Sequence, residues 1–383
     1  MNYTEATSKY LDWLKQRVTP NEDLFKQQIE EKNTKMKIGA FPFLRGTFYR
    51  WAEHWPAVCG ELAKRKQDVF MVIGDIHMEN YGTWRDTQGR LVWGINDFDE
   101  VHEMAFTSDL VRLVTSALAA AADNQVKVAS SEAASSALEG YQKGCDKGAR
   151  PFILESGHDA LRCLIDDALA DRDATKFWAK LNDTTTGDYS KPTPSLPVPA
   201  AVQKLLKEAL PAETEAIDFR VVKKAKGLGS LGRPRYLALG SWQGGYVARE
   251  AKRLAPSAVE WVADPKSDRI LAGDLAGLGT PSRSPDATYQ IKGEWVVRGL
   301  RPDAVKVELT ALDPKADKRE AILGLLKAMG RETANIHLGR MKAAKLTASL
   351  EQLGKANPTW LKDAAKAMWQ ATQEDHEEFL KSP

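Results

Sequence analysis

The sequence predicts an α+β protein with a β-rich lobe and a helical lobe, and the spacing of apolar residues along the chain supports this. Residues 1–183 place apolar side chains mostly at helical spacing. Residues 184–200 are rich in proline, which can neither continue a helix nor join a β ladder, so an extended linker is expected there. Residues 201–312 change to strand-like alternation, and residues 313–383 return to helical spacing. The helical lobe is therefore expected to combine both ends of the chain.

The overall composition is that of an ordinary globular protein. The 383 residues include 54 Lys and Arg against 52 Asp and Glu, a net charge of +2, so a nucleic-acid partner is not expected. Hydrophobic residues make up 43% and charged residues 28%, which excludes a disordered chain. A large buried core is expected.

The cysteines and the apolar runs indicate the cellular location of the protein. Cys59, Cys145 and Cys163 form no C-x-x-C pair, which argues against a disulfide framework and against a zinc site. The N-terminus has no apolar signal core, and no stretch reaches the roughly 18 apolar residues of a membrane span. The sequence therefore predicts a cytoplasmic protein without a membrane partner.

The first part of the chain predicts helices around two short strands. Residues 3–33 have the spacing of surface helices, and the apolar runs 69–73 and 91–95, bounded by turn residues, are typical of strands. From 109 to 143 Ala and Leu dominate along one apolar helical face, and helical character continues to about Leu181.

The later part predicts a sheet followed by helices. Over residues 217–309, β-formers alternate or cluster between glycine-containing turns, and short helices are expected near 202–210 and over 257–264. The tail is predicted to be helical from its apolar stripe, which consists of Ile322, Leu325, Leu326, Met329 and Ile336.

The stretch 71–100 carries polar side chains suited to chemistry. An apolar strand leads into a loop with Asp75 and Asn80, and a second strand ends at Asp97 and Asp99. Phosphoryl transfer from a nucleotide needs a carboxylate that accepts the proton of the substrate hydroxyl, and a carboxylate and an amide that hold Mg²⁺. Two adjacent strands that end on the same side would bring these groups together.

The spacing of Asp75 and Asn80 is the specific part of this pattern. They are separated as the Asp and Asn of the kinase catalytic loop, H-R-D-x-x-x-x-N, are. The local sequence looks like the GDxHxxN form of aminoglycoside and choline kinases, which implies that Asp75 is the catalytic base, that Asn80 is a metal ligand and that Asp97 is the metal-binding carboxylate. Asp99 is expected to be a second metal ligand or an orienting group.

Other interpretations of the same residues stay open. GDIHMEN alone is also typical of a polar β-turn, and NDFDE of an acidic strand end that caps a helix. His77 is interpreted as an organiser of the loop, hydrogen-bonded to backbone near Asp75, rather than as a base. A zinc site is disfavoured because His77, Asp97 and Asp99 offer one imidazole and hard oxygens, which suit Mg²⁺ better.

A glycine loop lies in the β-rich segment. GLGSLG has the GxGxxG spacing, and the strand RYLAL follows it, whereas a helix would follow in a Rossmann unit. This context is typical of the glycine-rich loop of kinases, which joins two antiparallel strands and covers the nucleotide phosphates. The candidate nucleotide-binding residues of this loop are Gly227, Gly229, Ser230 and Gly232.

A basic strand and an acidic helix follow the loop. The strand GYVAREA ends with Arg249 where a kinase carries the Lys of V-A-I-K, and a helix with Glu260 comes next. Arg and Lys are not interchangeable at a phosphate site, so either Arg249 acts with altered geometry or Lys252 takes its place. Alternatively, Arg249 and Glu260 are surface charges on a small sheet.

The order of these elements differs from that of an ordinary kinase, in which the small lobe precedes the catalytic loop. A circular permutation would reconcile them, with the β-rich small lobe late in the sequence and the helical large lobe assembled from both termini. Gly229 and Asp97 would then face the same cleft.

Several segments together resemble one bacterial family. They include FPFLRG at 41–46, GDIHMENYG at 74–82, INDFDE at 95–100 and the late ETANIHLGR. The family is catalogued as a domain of unknown function and is linked to the protein-kinase-like superfamily. The resemblance runs from about residue 36 to the end, and it implies a kinase-like two-lobed fold with a nucleotide-handling site. A Lys stands in the family pattern where this chain has Arg249.

Further residues of the matched segments have two interpretations. Arg45, Arg298 and Arg301 are expected either to clamp an anionic substrate or nucleotide, or to be buried partners of nearby carboxylates. His337, on a helix with an apolar stripe, is expected to be a packed or capping histidine.

These patterns predict an ATP- and Mg²⁺-dependent phosphotransferase of the kinase-like superfamily that phosphorylates a hydroxyl of a small molecule. Nucleotidyl transfer on the same fold is one alternative. A nucleotide-binding pseudokinase that acts by conformational signalling is another, and Arg249 bears on it because loss of the Lys weakens catalysis more than metal binding.

Overall fold

The computed structural model describes nearly all of the chain and is a mixed structure of helices and sheets, in agreement with the predicted α+β class. The described residues are 1–18, 21–170, 172–184, 188–224, 227–229, 231–276, 282–309 and 317–381.

Helices open the chain and pack through aromatic side chains. They are α1 (Tyr3–Val18), α2 (Glu22–Met36), α3 (Ala40–Gly46), α4 (Phe48–Val58) and α5 (Gly60–Ala63). The side-chain oxygen of Asn21 accepts a hydrogen bond from the N–H of Leu24 at 3.0 Å, which caps the first turn of α2. Tyr10 of α1 stacks on Tyr49 of α4 with ring centroids 4.3 Å apart. Both tyrosines are buried in the large hydrophobic core.

Two separate β structures follow. β1 (Val69–Val72) pairs antiparallel with β4 (His102–Ala105), and β2 (Tyr81–Arg85) forms a hairpin with β3 (Leu91–Ile95), to which β5 (Phe152–Ile153) is added. The two strands predicted at 69–73 and 91–95 are therefore present as β1 and β3. They do not pair with each other, so the expectation that adjacent strands bring the polar residues together is wrong.

The β2–β3 hairpin performs that task instead. Its register places Tyr81 opposite Ile95, and the N–H of Asn96 donates to the carbonyl oxygen of Asn80 at 3.2 Å. The residues just before β2 and just after β3 are therefore neighbours. Asn80 reaches the vicinity of Asp97 because the hairpin strands are antiparallel, and the connection is local in sequence.

The predicted helical segment 109–143 is two helices, α6 (Thr107–Asp123) and α7 (Ser130–Lys147). Almost the whole of α6 is buried, including its polar residues, because it crosses the centre of the large core. α8 (Asp159–Ala170) and α9 (Ala174–Asn182) continue the helical part as expected.

The large sheet lies in the later part of the chain. Six of the described strands form it, in the order β10-β11-β9-β8-β7-β6, and all neighbours are antiparallel. β6 lies inside the proline-rich segment 184–200 and pairs with β7, so part of that segment joins the sheet edge. The strands are β6 (Tyr189–Ser190), β7 (Glu215–Val222), β8 (Arg235–Trp242), β9 (Gly245–Arg253), β10 (Gln290–Lys292) and β11 (Trp295–Gly299).

Short helices accompany this sheet. α10 (Ala200–Ala209) packs on it through Val202 and Leu206, which are buried with side chains of β7, β8 and β9. α11 (Ala258–Ala263) and α12 (Ala272–Ala276) follow β9. α10 and α11 agree with the short helices predicted at 202–210 and 257–264.

Three helices complete the described chain: α13 (Lys318–Leu338), α14 (Ala343–Ala356) and α15 (Trp360–Lys381). The carboxylate of Glu378 in α15 accepts hydrogen bonds from the N–H groups of Tyr3 and Thr4, so it caps the first turn of α1. The helical part thus joins both ends of the chain. The predicted apolar stripe of the tail is confirmed as buried at Ile322, Leu325, Leu326, Met329 and Ile336. Among the described residues, none of the helices is long and apolar enough to cross a bilayer.

α13 also carries a buried carboxyl group beneath β3. Glu332 is 2% exposed, and its Oε2 accepts a hydrogen bond from the side-chain amide of Asn335 at 2.9 Å. Burial raises the pKa of Glu332 to about 7, although the hydrogen bond from Asn335 and the charge of Arg283 oppose the shift. The folded protein therefore holds a proton on this residue at mildly acidic pH.

We expect Glu332 to make stability depend on pH. A carboxyl whose pKa is higher in the folded than in the unfolded state stabilises fully at pH below the unfolded value, and this contribution is lost as the pH rises from about 4.5 to about 7. The loss should amount to at most about 3 kcal/mol of unfolding free energy. Urea unfolding across this range should show a smaller decline in Glu332→Gln than in the wild type, because other carboxyls with raised pKa values, such as Asp75 and Asp99, remain in both. Glu320→Gln, which removes an exposed carboxylate of the same helix, should keep the decline of the wild type.

Candidate active site

A small cleft lies where the loop after β1, the end of β3 and the glycine loop meet. The predicted residues that line it together are Asp75, Asn80, Asp97, Asp99, Gly227 and Gly229. The expectation that Gly229 and Asp97 face one cleft agrees with this placement. Residues far apart in sequence thus share one concave site.

The backbone before Asp75 is fixed from below by α6. The carboxylate of Asp109, which is fully buried, accepts hydrogen bonds from the N–H groups of Ile73 at 2.9 Å and Gly74 at 3.0 Å. Gly74 has a φ of +81°, and a side chain there would collide with the carbonyl oxygen of Glu100. Only glycine fits both constraints, so the turn presents Asp75 in one defined orientation.

Asp109 belongs to a buried polar network. Its Oδ2 lies 3.1 Å from Nε2 of His337, and Nδ1 of His337 lies 2.8 Å from the hydroxyl oxygen of Tyr141. All three side chains are fully buried. The expectation that His337 is a packed histidine is confirmed, and its place beneath the turn adds a role: it orients the carboxylate that holds the loop.

Asp75 is held at one of its two oxygens. Nε of Arg112 donates to Oδ1 at 3.0 Å, and a second nitrogen of the same guanidinium pairs with that oxygen. The guanidinium lies over the rings of Phe48 at 4.8 Å and Trp51 at 4.9 Å, and Arg112 is 1% exposed. Burial raises the pKa of Asp75, while the charge of Arg112 opposes this. The carboxylate is thus buried and oriented, with Oδ2 not used by Arg112.

The glycine loop approaches that second oxygen. A Cβ atom on Gly229 would lie 3.4 Å from Oδ2 of Asp75 and 3.3 Å from the carbonyl oxygen of Arg45. The loop therefore approaches the predicted base so closely that a side chain at Gly229 would contact it. Leu228 and Leu231 anchor it by packing with Met36 and Phe43.

Asn80 connects the two acidic segments. Its side-chain Nδ2 donates to the carbonyl oxygen of Asp75 at 3.0 Å and, at 3.4 Å, to that of Asp97. Since the amide nitrogen is used by the backbone, the amide oxygen is the group with which Asn80 can bind a cation. Asn80 is 3% exposed, so its orientation is fixed by packing as well.

Asp97 and Asp99 share one lysine. Nζ of Lys252 lies 3.3 Å from Oδ1 of Asp97 and 2.5 Å from Oδ2 of Asp99. Burial raises the pKa of Asp97, but the charge of Lys252 outweighs it and holds that pKa well below the usual range. Burial and the neighbouring charge of Asp97 raise the pKa of Asp99. Asp97 is therefore the permanent charge of the pair, and Asp99 is the carboxyl with increased proton affinity.

Arg233 links the end of the glycine loop to the same acidic segment. Its guanidinium lies 3.2 Å from Oδ2 of Asp99 and 2.5 Å from Oε1 of Glu100. Glu100 also accepts a hydrogen bond from the N–H of Ala258 at 2.7 Å, where α11 begins. Arg233 is 2% exposed. These contacts fix the position of the β-rich part against the loop that carries the carboxylates.

Two predicted residues of the β-rich part lie elsewhere. Arg249 does not line the cleft: its guanidinium donates to the carbonyl oxygens of Ala209 at 2.8 Å and Ala248 at 3.0 Å. Lys252, the alternative considered from the sequence, is the basic residue of β9 that reaches the carboxylates. Glu260 is bonded to His102 and not to either of these cations.

The beginning of the glycine motif lines the cleft, whereas its last glycine does not. Gly232 has a φ of +95°, its N–H donates to Oε1 of Gln28 at 3.0 Å, and it does not line the cleft. Ser230 lies outside the described residues. The part of the motif that reaches the cleft is Gly227, Leu228 and Gly229.

His77 organises the loop, as the sequence predicts. Its Nδ1 accepts a hydrogen bond from the N–H of Glu79 at 3.2 Å. Burial, and then the charges of Arg45 and Lys306, lower the pKa of His77 well below its ordinary value. It is therefore neutral at pH 7, and with Nδ1 accepting, its proton is on Nε2.

The other predicted arginines have carboxylate partners. Arg45 lines the cleft and pairs with Glu79, whereas Arg298 pairs with Glu250 at 2.9 Å. Arg301 pairs with Asp286 at 3.2 Å. The interpretation as partners of carboxylates thus agrees with these contacts, but the partners are not Asp99, Glu100 or Asp109, the carboxylates that the sequence suggested.

Several residues that build the cleft could not be identified from the sequence. Arg112 and Asp109 lie behind the cleft, and their spacing of three residues on one helix was the available signal. Arg233 directly follows the glycine motif. Lys306, whose Nζ donates to the carbonyl oxygen of Glu79 at 2.8 Å, lies in a segment without a motif, so no local signal marks it.

The oxygen donors at the cleft do not form a complete metal site by themselves. Among the described residues, no three His, Cys, Asp or Glu side chains are grouped so as to hold an ion. The available donors are the amide oxygen of Asn80 and the carboxylates of Asp97 and Asp99. Oδ1 of Asp99 is buried and has no hydrogen-bond partner among the described residues. Such a site fits Mg²⁺, which commonly takes one or two carboxylates and completes its shell with water and substrate phosphates.

Comparison with protein families gives a match over nearly the whole chain. The model of a bacterial family described as "Uncharacterized protein conserved in bacteria (DUF2252)" matches residues 24–191 and 198–382. The chain belongs to this family. The DUF2252 match contains every cleft residue named above, and the predicted membership of a bacterial domain of unknown function is confirmed. Comparisons with curated proteins and with solved structures gave no match.

We expect the ion pair between Asp75 and Arg112 to be essential for the cleft. Arg112→Met leaves a buried carboxylate without its partner, which should lower the free energy of unfolding by about 3–5 kcal/mol at pH 7. Urea unfolding measures this. Lys9→Met, which breaks the exposed pair of Lys9 with Glu5, should cost less than about 1 kcal/mol. Equal losses in the two variants would contradict the assignment. Asp75→Asn combined with Arg112→Met should be less destabilised than the sum of the single changes.

Proposed function

We propose that the protein is an ATP- and Mg²⁺-dependent phosphotransferase that phosphorylates a hydroxyl group of a small molecule. One observation carries the proposal: Asp75, Asn80 and Asp97 line the same cleft as the glycine loop, although the loop lies far later in the sequence. A base, an amide and a carboxylate that meet beneath such a loop are the groups that phosphoryl transfer from a nucleotide requires.

Asp75 is assigned as the general base. Arg112 occupies its Oδ1, so Oδ2 accepts the proton of the acceptor hydroxyl. As the hydroxyl oxygen bonds to the terminal phosphorus of ATP, the bond from that phosphorus to the bridging oxygen breaks and ADP leaves. The raised pKa of Asp75 favours proton acceptance in this buried position.

Asn80 and Asp97 are assigned as metal ligands, and Asp99 as a further ligand or an orienting group. The unpartnered Oδ1 of Asp99 supports a cation at this place. When bound, Mg²⁺ would neutralise the charge of the phosphates. Asn80 and the permanent charge of Asp97 hold their oxygens in place through the backbone bonds of Asn80 and the pair of Asp97 with Lys252.

The order of elements in the β-rich part supports a kinase-like small lobe. β7, the glycine loop, β8, the basic strand β9, the short helix α11 and then β10 and β11 follow one another as strand, loop, strand, basic strand, acidic helix and further strands. The catalytic loop precedes this lobe in the chain, which corresponds to a circular permutation of the usual order. We assign to Lys252 the role of the V-A-I-K lysine, because it contacts the metal-binding carboxylate.

A second function is favoured by one departure from the kinase pattern. Glu260 of α11 is bonded to His102, so the Lys–Glu pair that active protein kinases need is not formed by this residue. A nucleotide-binding module that signals by conformation would fit such an arrangement. The two functions differ in turnover and not in nucleotide binding.

We expect ATP with Mg²⁺ to stabilise the protein against heat. Ligand at about a hundred times its dissociation constant should add about 2.7 kcal/mol. Asp97→Asn should lose the part of this shift that depends on Mg²⁺, while Asp12→Asn on the exposed side of α1 should retain it. A wild type that shows no shift with ATP and Mg²⁺ would exclude both functions. Added chelator should abolish the shift in the wild type.

Turnover separates the two functions. Asp75→Asn should bind ATP as the wild type does but lose about 10²–10⁴-fold in ADP formation with hydroxyl acceptors, because proton acceptance is removed. ADP release measured by chromatography tests this. Binding without turnover in the wild type would favour the regulatory module, and release of pyrophosphate in place of ADP would indicate nucleotidyl transfer.

The assignment of Lys252 gives a matched pair of variants on one strand. Lys252→Met should weaken binding of ATP with Mg²⁺ by about tenfold or more, since it removes a charge-assisted contact at the metal-binding carboxylate. Arg249→Met should change this affinity less than about twofold, because its guanidinium bonds backbone away from the cleft. Titration calorimetry gives both values. The reverse order of effects would restore Arg249 as the nucleotide-binding residue.

A further inference from the structure

Helix α2 packs against the glycine loop from outside. Nε2 of Gln28 donates to the carbonyl oxygen of Lys223 at 3.1 Å, and its Oε1 accepts from the N–H of Gly232 at 3.0 Å. One side chain of α2 thus holds both ends of the loop. Two turns later, Met36 packs with Leu228 in the middle of the loop.

Lys32 lies between these two contacts, on the same face of α2. The buried residues of this helix include Gln28, Lys32 and Met36, which are spaced four apart and therefore form one line along the helix. Lys32 is 5% exposed. The charged groups that act on it are Arg233, Asp75 and Glu100, and all three line the cleft.

Lys32 has no partner for its charge. It makes no hydrogen bond or ion pair with any described residue, in contrast to the carboxylates beside it. Asp75 is paired with Arg112, and Glu100 is paired with Arg233 at 2.5 Å. Burial, and then the charge of Arg233, lower the pKa of Lys32 to about 8. Lys32 is thus held in a buried position without a hydrogen-bonded partner among the described residues, and this burial disfavours its charged form.

Nothing in the fold requires a charge at this position. Gln28, Lys32 and Met36 follow one another along the buried line of α2, and a methionine of similar length would occupy the same position without the cost of desolvating an ammonium. Unpaired buried cations at a cleft are typical of sites that bind an anion, which supplies the missing charge.

We propose that Lys32 is the anchor of an oxyanion site between α2 and the glycine loop, where it binds a phosphate or carboxylate group of the ligand in the cleft. This inference rests on the proposed function in that the ligand carries such a group beside Asp75. The oxyanion is either the terminal phosphate of the nucleotide or an anionic group of the acceptor. In the second case the acceptor belongs to the class of hydroxyl compounds that bear a phosphate or a carboxylate.

Titration calorimetry on the full chain tests the site with two probes. One is inorganic phosphate, and the other is a non-hydrolysable ATP analogue with Mg²⁺. We expect Lys32→Met to weaken binding of at least one probe by about tenfold or more. Lys26→Met removes an exposed charge from the same helix and should leave both affinities within about twofold of the wild type. Lys32→Arg, which keeps a cation, should retain more affinity than Lys32→Met.

The two probes distinguish the source of the oxyanion. A loss confined to the ATP analogue assigns Lys32 to the nucleotide phosphate. A loss of phosphate binding, measured also in the presence of the saturating analogue, assigns it to the acceptor. Unchanged affinities for both probes in Lys32→Met, or a wild type that binds neither, would overturn the inference. Phosphate binding that depends on Lys32 in a protein without ATP turnover would support the oxyanion site and count against the phosphotransferase alone.

Thermal unfolding without ligand provides a second readout. Because Lys32→Met removes an unpaired buried charge, the variant should unfold at the same or a higher temperature than the wild type. A structural lysine would give the opposite result. A destabilised Lys32→Met variant together with full binding by Lys32→Gln would therefore contradict the proposed role.

Discussion

Lys252 contacts Asp97 and Asp99 at the cleft, and Arg233 contacts Asp99 and Glu100 beside them. The acidic residues follow strand β3, while the two cations belong to β9 and to the end of the glycine loop. An isolated buried carboxylate costs several kcal/mol, so the acidic segment can be buried only where these cations reach it. The position of the large sheet relative to the β2–β3 hairpin follows from this requirement. The place of the glycine loop above Asp75 follows in turn.

The opposite wall of the cleft is held by hydrogen bonds to the backbone. Asp109 binds the N–H groups just before Asp75, and Asn80 binds the carbonyl oxygens of Asp75 and Asp97. The side chains proposed to act on substrate are thus positioned by hydrogen bonds from other side chains together with the pairing of β2 and β3. Several buried polar residues of α6 make such bonds: Asp109 and Ser116 accept from backbone N–H groups of the loop, and Arg112 binds Asp75.

Local features of the site could be predicted from the sequence, and features that depend on register could not. The spacing of Asp75 and Asn80 is a property of a short loop, and the context of Gly229 is a property of a hairpin. Both are visible in consecutive residues. Arg249 and Lys252 are three positions apart on β9, so their side chains lie on opposite faces of the sheet. Which of the two side chains points toward the cleft depends on how β9 pairs with β8 and β11. A single sequence does not contain that register.

The helices and strands also differ in how well the sequence predicts them. The long helices and the sheet at 217–309 have strong periodicity, and the stripe of α13 was correctly predicted. β2 and β4 are short, contain polar and small residues and are mostly buried, so their composition carries little strand signal. Partners such as His337 for Asp109 join residues more than two hundred positions apart. Only the folded chain shows them.

The late position of the charge partners has a consequence for synthesis on the ribosome. Asp97 and Asp109 leave the exit tunnel long before their partners Lys252 and His337, so the early segment carries carboxylates whose native partners are not yet present. Water solvates them better than an incomplete core does, and the aromatic residues around them stay exposed meanwhile. These carboxylates can therefore be buried with their partners only after the last helices emerge. Final folding closes very long loops, which is slow for a chain of this length.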